Sequence, residues 1–165
     1  MFICTELVFL LEVFADDCAS VATDKGETQD NGGWHPAEPA PELVYTSIEG
    51  NWSALPPDLM YRLRELPVHQ REVRRLMAVD FDDCLPLDIP EVVSTRQYRY
   101  TQLGLKALRL ARRLRRLGGM PGSRRGSYPG SPQAVLLAAW HTARDRRDQR
   151  ARACSAFTRT APEVP

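Results

Sequence analysis

The sequence predicts a small α-rich α/β domain, on three observations. Leucines recur at helical steps through residues 96–117, a second helical face lies just after a Pro pair at 56–57, and two short apolar or β-branched runs, 44–48 and 76–79, have the length of buried strands. A chain of 165 residues gives room for one domain with a modest core. Its 13 prolines and 10 glycines dilute an apolar fraction of 43%, so disordered segments are expected around that core.

The longest periodic stretch is "RQYRYTQLGLKALRLARRLRRL", residues 96–117. Leu103, Ala107, Leu110, Leu114 and Leu117 fall on one face while Lys106, Arg109, Arg113 and Arg116 line another. Gly118 and Gly119 end it, with Pro121 beyond. In "NWSALPPDLMYRLRELP" the spacing of Leu59, Leu63 and Leu66 predicts a helix over 57–66, opened by prolines where missing N–H groups cost least and closed by Pro67. Alternation in "LVYTSI", with β-branched Val44, Thr46 and Ile48, predicts a short strand. Leu76 to Val79 reads either way, because Val73, Leu76 and Met77 also fit a helical face. A last helix is expected through "SPQAVLLAAWHTARDRRDQRARA", apolar early and charged late.

These signals divide the chain into an apolar segment at 1–15, an acidic, Pro/Gly-rich linker at 16–42 expected to be disordered, a domain at 43–140 and a charged, polar tail at 141–165. The apolar run "LVFLLEVF" at 7–14 has about half the roughly 20 residues a membrane span needs, and Glu6 and Glu12 interrupt it. No basic residue precedes it, so it reads as a buried helix or strand rather than a leader.

Charge is segregated. Residues 1–95 hold 6 Lys/Arg and 18 Asp/Glu, a net of −12, and residues 96–165 hold 16 and 3, a net of +13. Either the halves attract each other, or the basic region, residues 96–125, takes an acidic protein or nucleic acid through Lys106, Arg109, Arg112, Arg113 and Arg116. Cys4, Cys18, Cys84 and Cys154 are dispersed, with no CxxC pair and no histidine cluster nearby, which argues against a zinc site and against a disulfide scaffold. The expected setting is an intracellular, reducing compartment such as cytoplasm or nucleus.

The run "LMAVDFDDCL" resembles the first motif of the haloacid-dehalogenase-like hydrolases, a strand ending in Asp-x-Asp-x-Thr, and "IPEVV", Leu103-Gly104-Leu105 and "YPGSPQAVLLAAW" match later pieces of that family. The resemblance implies an incomplete Rossmann-like core and a magnesium-dependent phosphatase. In it Asp80 is nucleophile and Mg2+ ligand, Asp82 is acid/base and metal ligand, and Cys84 contacts phosphate. Cys84 replaces the family's Thr, and no second, third or fourth motif follows, since the segment after Trp140 is too charged for a buried strand. The implied protein is therefore a truncated or inactive relative.

Two other resemblances point away from enzymes. "WSALPPDLMYRLRELP" with "VRRLMAVDF" is similar to an F-box, a helical adaptor module of ubiquitin ligases, with Phe81 at the usual Trp position. It requires Leu76–Val79 to be helical. "RQYRYTQLGLKAL" looks like the wing strand and last helix of winged-helix DNA-binding proteins, but the segment expected to read DNA would be "DFDDCLPLDIP", whose acidic residues repel phosphates. Both point to a non-enzymatic interaction protein as the alternative function.

Overall fold

In the computed structural model the apolar start of the chain becomes one long helix, α1 (Phe2–Thr23), on which the rest assembles. Two-residue strands β1 (Glu27–Thr28) and β2 (Trp34–His35) pair antiparallel, and a 3-10 turn at Trp52–Ala54 leads into α2 (Pro57–Asp82). Then follow α3 (Ile89–Leu117) and α4 (Pro132–Arg159). The structure describes residues 2–28, 34–46, 48–83, 85, 87–123 and 128–159, with side chains to residue 152.

This is an all-helical architecture, and it corrects the α/β expectation. A Rossmann-like core needs parallel strands buried on both faces. The only pairing among the described residues is the β1–β2 contact. "LVYTSI" forms no strand among its described residues; the Ile48 N–H instead closes a turn on Tyr45 O at 3.0 Å. Leu76–Val79 lies inside α2, with Met77 buried and Val79 half in solvent, as one face of a helix requires and a buried strand would not allow. Tyr98 and Tyr100 likewise sit in α3, so the wing strand is absent too.

α1 supplies most of the core. Leu7, Val8, Leu11, Phe14, Ala15 and Cys18 are essentially solvent-free, each large aliphatic contributing about 1.5–3 kcal/mol by burial. Its most extensive packing is on α3, and it also meets α4. Glu12 does not interrupt this helix because Arg115 of α3 meets it with two hydrogen bonds, at 2.9 and 3.0 Å. Residues 16–23, assigned by sequence to the acidic linker, are its last turns, with Cys18, Ala19, Val21 and Ala22 buried. No helix among the described residues is long and apolar enough to cross a membrane.

α2 begins as expected, with Pro57 in its first turn, but it continues through Pro67 to Asp82. Proline removes one N–H from the helical ladder. Leu59, Leu63, Leu66, Gln70 and Met77 nevertheless form one buried face across it, so packing outweighs the local defect. Buried Gln70 also receives the Leu43 N–H and donates to Pro41 O, tying the extended segment 41–43 to α2.

α3 buries Leu103, Ala107, Leu110 and Leu114 as the periodicity predicts, whereas Leu117 is half exposed. It starts at Ile89, seven residues before the predicted start, because Pro90 sits in its first turn. It stops at Gly118 and Gly119: Gly119 takes φ +61°, its N–H reaches Arg116 O, and Met120 N–H reaches Arg115 O. α4 is opened by buried Ser131, whose Oγ accepts the Ala134 N–H at 3.2 Å, followed by Pro132. Helices α1, α3 and α4 converge at Gly104, where an added Cβ would lie 2.8 Å from Leu136 Cδ1 and 2.9 Å from Cys18 Cβ.

Candidate functional site

Antiparallel α2 and α3 place the Asp58 end of one beside the Arg113 end of the other, and His69 beside Lys106. Between them opens a cleft of about 170 Å3 lined by Arg62, Glu65, Leu66, His69, Lys106, Arg109 and Leu110. The leucines form an apolar floor. Arg62, Lys106 and Arg109 bring three positive charges against the one carboxylate of Glu65. Lys106 Nζ lies 3.2 Å from His69 Nδ1, and His69 Nε2 lies 3.8 Å from Glu65 Oε1.

Beyond the cleft the basic arc continues along α3. At 100° per residue, Lys106, Arg109, Arg112, Arg113 and Arg116 occupy about 120° of the helix circumference. Arg113 is turned aside to Asp58, at 2.7 Å, and its guanidinium holds that carboxyl below its ordinary range. The side chains of Lys106, Arg109, Arg112 and Arg116 have no carboxylate within ion-pair distance among the described residues.

The two readings of the charge split are thus both realised, by different residues. Arg96–Asp24, Arg113–Asp58, Arg115–Glu12 and Arg150–Glu91 each join a second-half arginine to a first-half carboxylate. The first is the most enclosed, its side chains 5% and 1% exposed at 2.7 Å. Burial pushes the Asp24 carboxyl up, but the Gly26 and Glu38 N–H groups and Arg96 more than offset this and leave it below its ordinary value. The two enclosed pairs, Arg96–Asp24 and Arg115–Glu12, tie α3 to α1 and the loop after it, while Lys106, Arg109, Arg112 and Arg116 of α3 are exposed.

The expected phosphate-transfer residues do not converge. Asp80 and Asp82 lie in the last turn of α2, Asp80 half-buried and Asp82 exposed. Residues two apart share one face of a strand but point to different sides of a helix, so the shared cleft inferred for them depended on the strand that is absent. Cys84 lies outside the described residues. No group of three or more His, Cys, Asp or Glu among the described residues is arranged to hold a metal ion. Phe81, between the two aspartates, stacks on Trp34 with ring centroids 5.3 Å apart.

Sequence reasoning located Lys106 and Arg109 and missed their partners on α2. Arg62, Glu65 and His69 recur at steps of three and four beside the Leu59–Leu63–Leu66 face, a signal that lost its last member, His69, when Pro67 was taken as the helix end. Comparison with known proteins finds no matching family model, no similar curated protein and no similar solved structure.

Proposed function

We propose that this chain is a non-enzymatic interaction module that binds an acidic segment of a partner protein on the α2–α3 face. The observation that carries this reading is the cleft in which Arg62, Lys106 and Arg109 outnumber Glu65 over a leucine floor, extended along α3 by Arg112 and Arg116. An acidic peptide with interspersed aliphatic residues complements both features. Exposed cations of this kind act over about 10 Å at 0.1 M salt, so they steer encounter and set orientation, while the apolar floor adds short-range affinity. The unbroken helix through Leu76–Val79 also meets the requirement of the adaptor-module reading, which belongs to the same non-enzymatic class.

The test is fluorescence anisotropy with a labelled poly-glutamate peptide. Binding is expected to weaken steeply between about 50 and about 300 mM salt. Arg109→Glu combined with Arg112→Glu should abolish it without moving the melting midpoint, since both side chains are exposed. Salt-insensitive binding, or none, would remove the proposal.

A further inference from the structure

The turn from α2 into α3 has the charge and the exposed apolar groups that the α2–α3 cleft complements. Residues 80–95 hold Asp80, Asp82, Asp83, Asp88 and Glu91 and no Lys or Arg. Among them stand two leucines with no role in the core, Leu87 at 92% and Leu85 at 66% exposure. Asp82, Asp83 and Asp88 are exposed as well, and no cation lies within ion-pair distance of them among the described residues. The turn is already shaped: the Asp88 N–H reaches Leu85 O at 2.8 Å, and Phe81 at its base is stacked on Trp34. A segment ordered in advance loses little entropy when it docks.

The cleft has the opposite charge and a matching size. Arg62, Lys106 and Arg109 line it with Glu65, and at about 170 Å3 it falls below the roughly 300–1,000 Å3 of small-ligand sites. It has room for a side chain or two of a docked segment, between the methylene stems of the three cations. The turn cannot fill the cleft of its own chain. Both belong to one antiparallel helix pair, and residues 69 to 82 of α2 span about 20 Å at about 1.5 Å per residue.

We infer that two copies of this chain pair through α2 and α3, the 82–88 turn of each seated in the α2–α3 cleft of the other. The acidic partner is then a second copy, and the inference rests on the reading of that cleft given above. Helix geometry lets both contacts form at once. At about 100° per residue, Arg62, His69, Leu76 and Asp80 lie within about 40° of one another, so one line along α2 runs from basic to acidic. A two-fold axis across the middle of that line lays the cleft end of one copy on the turn end of the other, and the reverse. The contact therefore closes at two copies. Two short turns in two small clefts make a modest interface, so the dimer is weak and sensitive to salt.

Sedimentation velocity on the full chain tests the pairing. Wild type is expected to form a concentration-dependent dimer at about 50 mM salt that weakens at least about tenfold by about 300 mM. Leu87→Asn should weaken it about tenfold through lost apolar contact. Lys106→Glu with Arg109→Glu makes the cleft acidic, and Asp82→Lys with Asp83→Lys makes the turn basic; all four side chains are exposed, so both variants should melt as wild type does. Each variant alone should be monomeric, because like charges then meet at both contacts. An equimolar mixture should recover a 1:1 dimer, because opposite charges then meet at both. Labelled poly-glutamate separates this inference from the reading beneath it. A wild type that stays monomeric yet binds poly-glutamate overturns the pairing and leaves the acidic-partner reading standing, whereas a monomer that binds none removes both. The pairing is also overturned if either variant dimerises alone, or if their mixture stays monomeric.

Discussion

Replacing Arg96 by Leu tests the most enclosed ion pair of the fold. In the native chain Arg96 Nη1 lies 2.7 Å from Asp24 Oδ2, its Nη2 donates to Glu38 O, and Gln97 Nε2 holds Asp24 O at 2.7 Å. The end of α1, the loop at 24–26 and the segment around Glu38 are thus fastened to α3 through one carboxylate. Arg96→Leu leaves Asp24 buried with only the Gly26 and Glu38 N–H donors, at 2.7 and 3.1 Å. Removing one partner of a buried pair costs about 3–5 kcal/mol. The new leucine recovers about 1 kcal/mol by burying apolar surface, for a net loss of about 2–4 kcal/mol. Urea unfolding followed by far-UV circular dichroism measures it directly. The pH dependence adds a signature that lost packing alone would not give. With Arg96 present, the Asp24 carboxyl lies below its ordinary 3.8, so its contribution is full above that value and is lost as pH falls through the folded-state value. Without Arg96, burial acts against fewer opposing interactions and the carboxyl moves upward, so protonation relieves the variant as pH falls. The gap between wild type and Arg96→Leu should therefore narrow as pH falls from about 7 to about 4. A gap under about 1 kcal/mol, or one independent of pH, would refute the buried-pair account.

Gly104→Ala should destabilise by up to about 2 kcal/mol, because overpacking at about 1–3 kcal/mol acts against the roughly 1 kcal/mol gained in helix propensity. Leu136 Cδ1 can rotate away, but Cys18 Cβ is fixed to the α1 backbone, so a raised melting temperature would show that the three helices do not meet there. Ser131→Ala removes the α4 cap and should cost about 1 kcal/mol by urea denaturation, with no loss marking the cap as idle. Burial, and next the charge of Asp17, push the Cys18 thiol well above its ordinary 9.0. Iodoacetamide should therefore label native Cys18 at least about a hundredfold more slowly than the urea-unfolded chain, as read by peptide mass spectrometry; comparable rates would contradict its burial. Millimolar magnesium should leave the melting midpoints of wild type and Asp80→Asn equally unchanged, since Asp80 and Asp82 point apart on α2. A rise in wild type alone would restore a metal role for them.

α3 was readable because two independent signals agreed: leucine spacing at 103, 107, 110 and 114, and the glycine pair that permits a left-handed stop at Gly119. α2 was half readable. Its prolines signalled the start correctly, but the same residue type at 67 suggested an end that packing overrode, as Leu66, Gln70 and Met77 remained in contact with the interior. Four apolar residues at 76–79 are too few to separate strand from helix by period, and the acidic pair after them favoured the strand through a motif rather than through physics. On the site, the cations of α3 were legible as an arc and Arg62 lay inside the predicted helix, whereas His69 required knowing that α2 runs on past Pro67. The edge-to-face contact of Tyr45 and Trp52 was not legible at all, because it joins a turn at Tyr45–Ile48 to a 3-10 turn, and neither leaves a periodic trace.

The packing of α1 on α3 also sets an order of events during synthesis. α1 ends at Thr23 and its main partner is completed at Leu117, 94 residues later by subtraction. At about 5–20 residues per second, the ribosome takes roughly 5–20 s to make the surface that will cover Leu7, Leu11 and Phe14. For that interval the face of α1 that packs on α3 in the finished fold stays open to solvent.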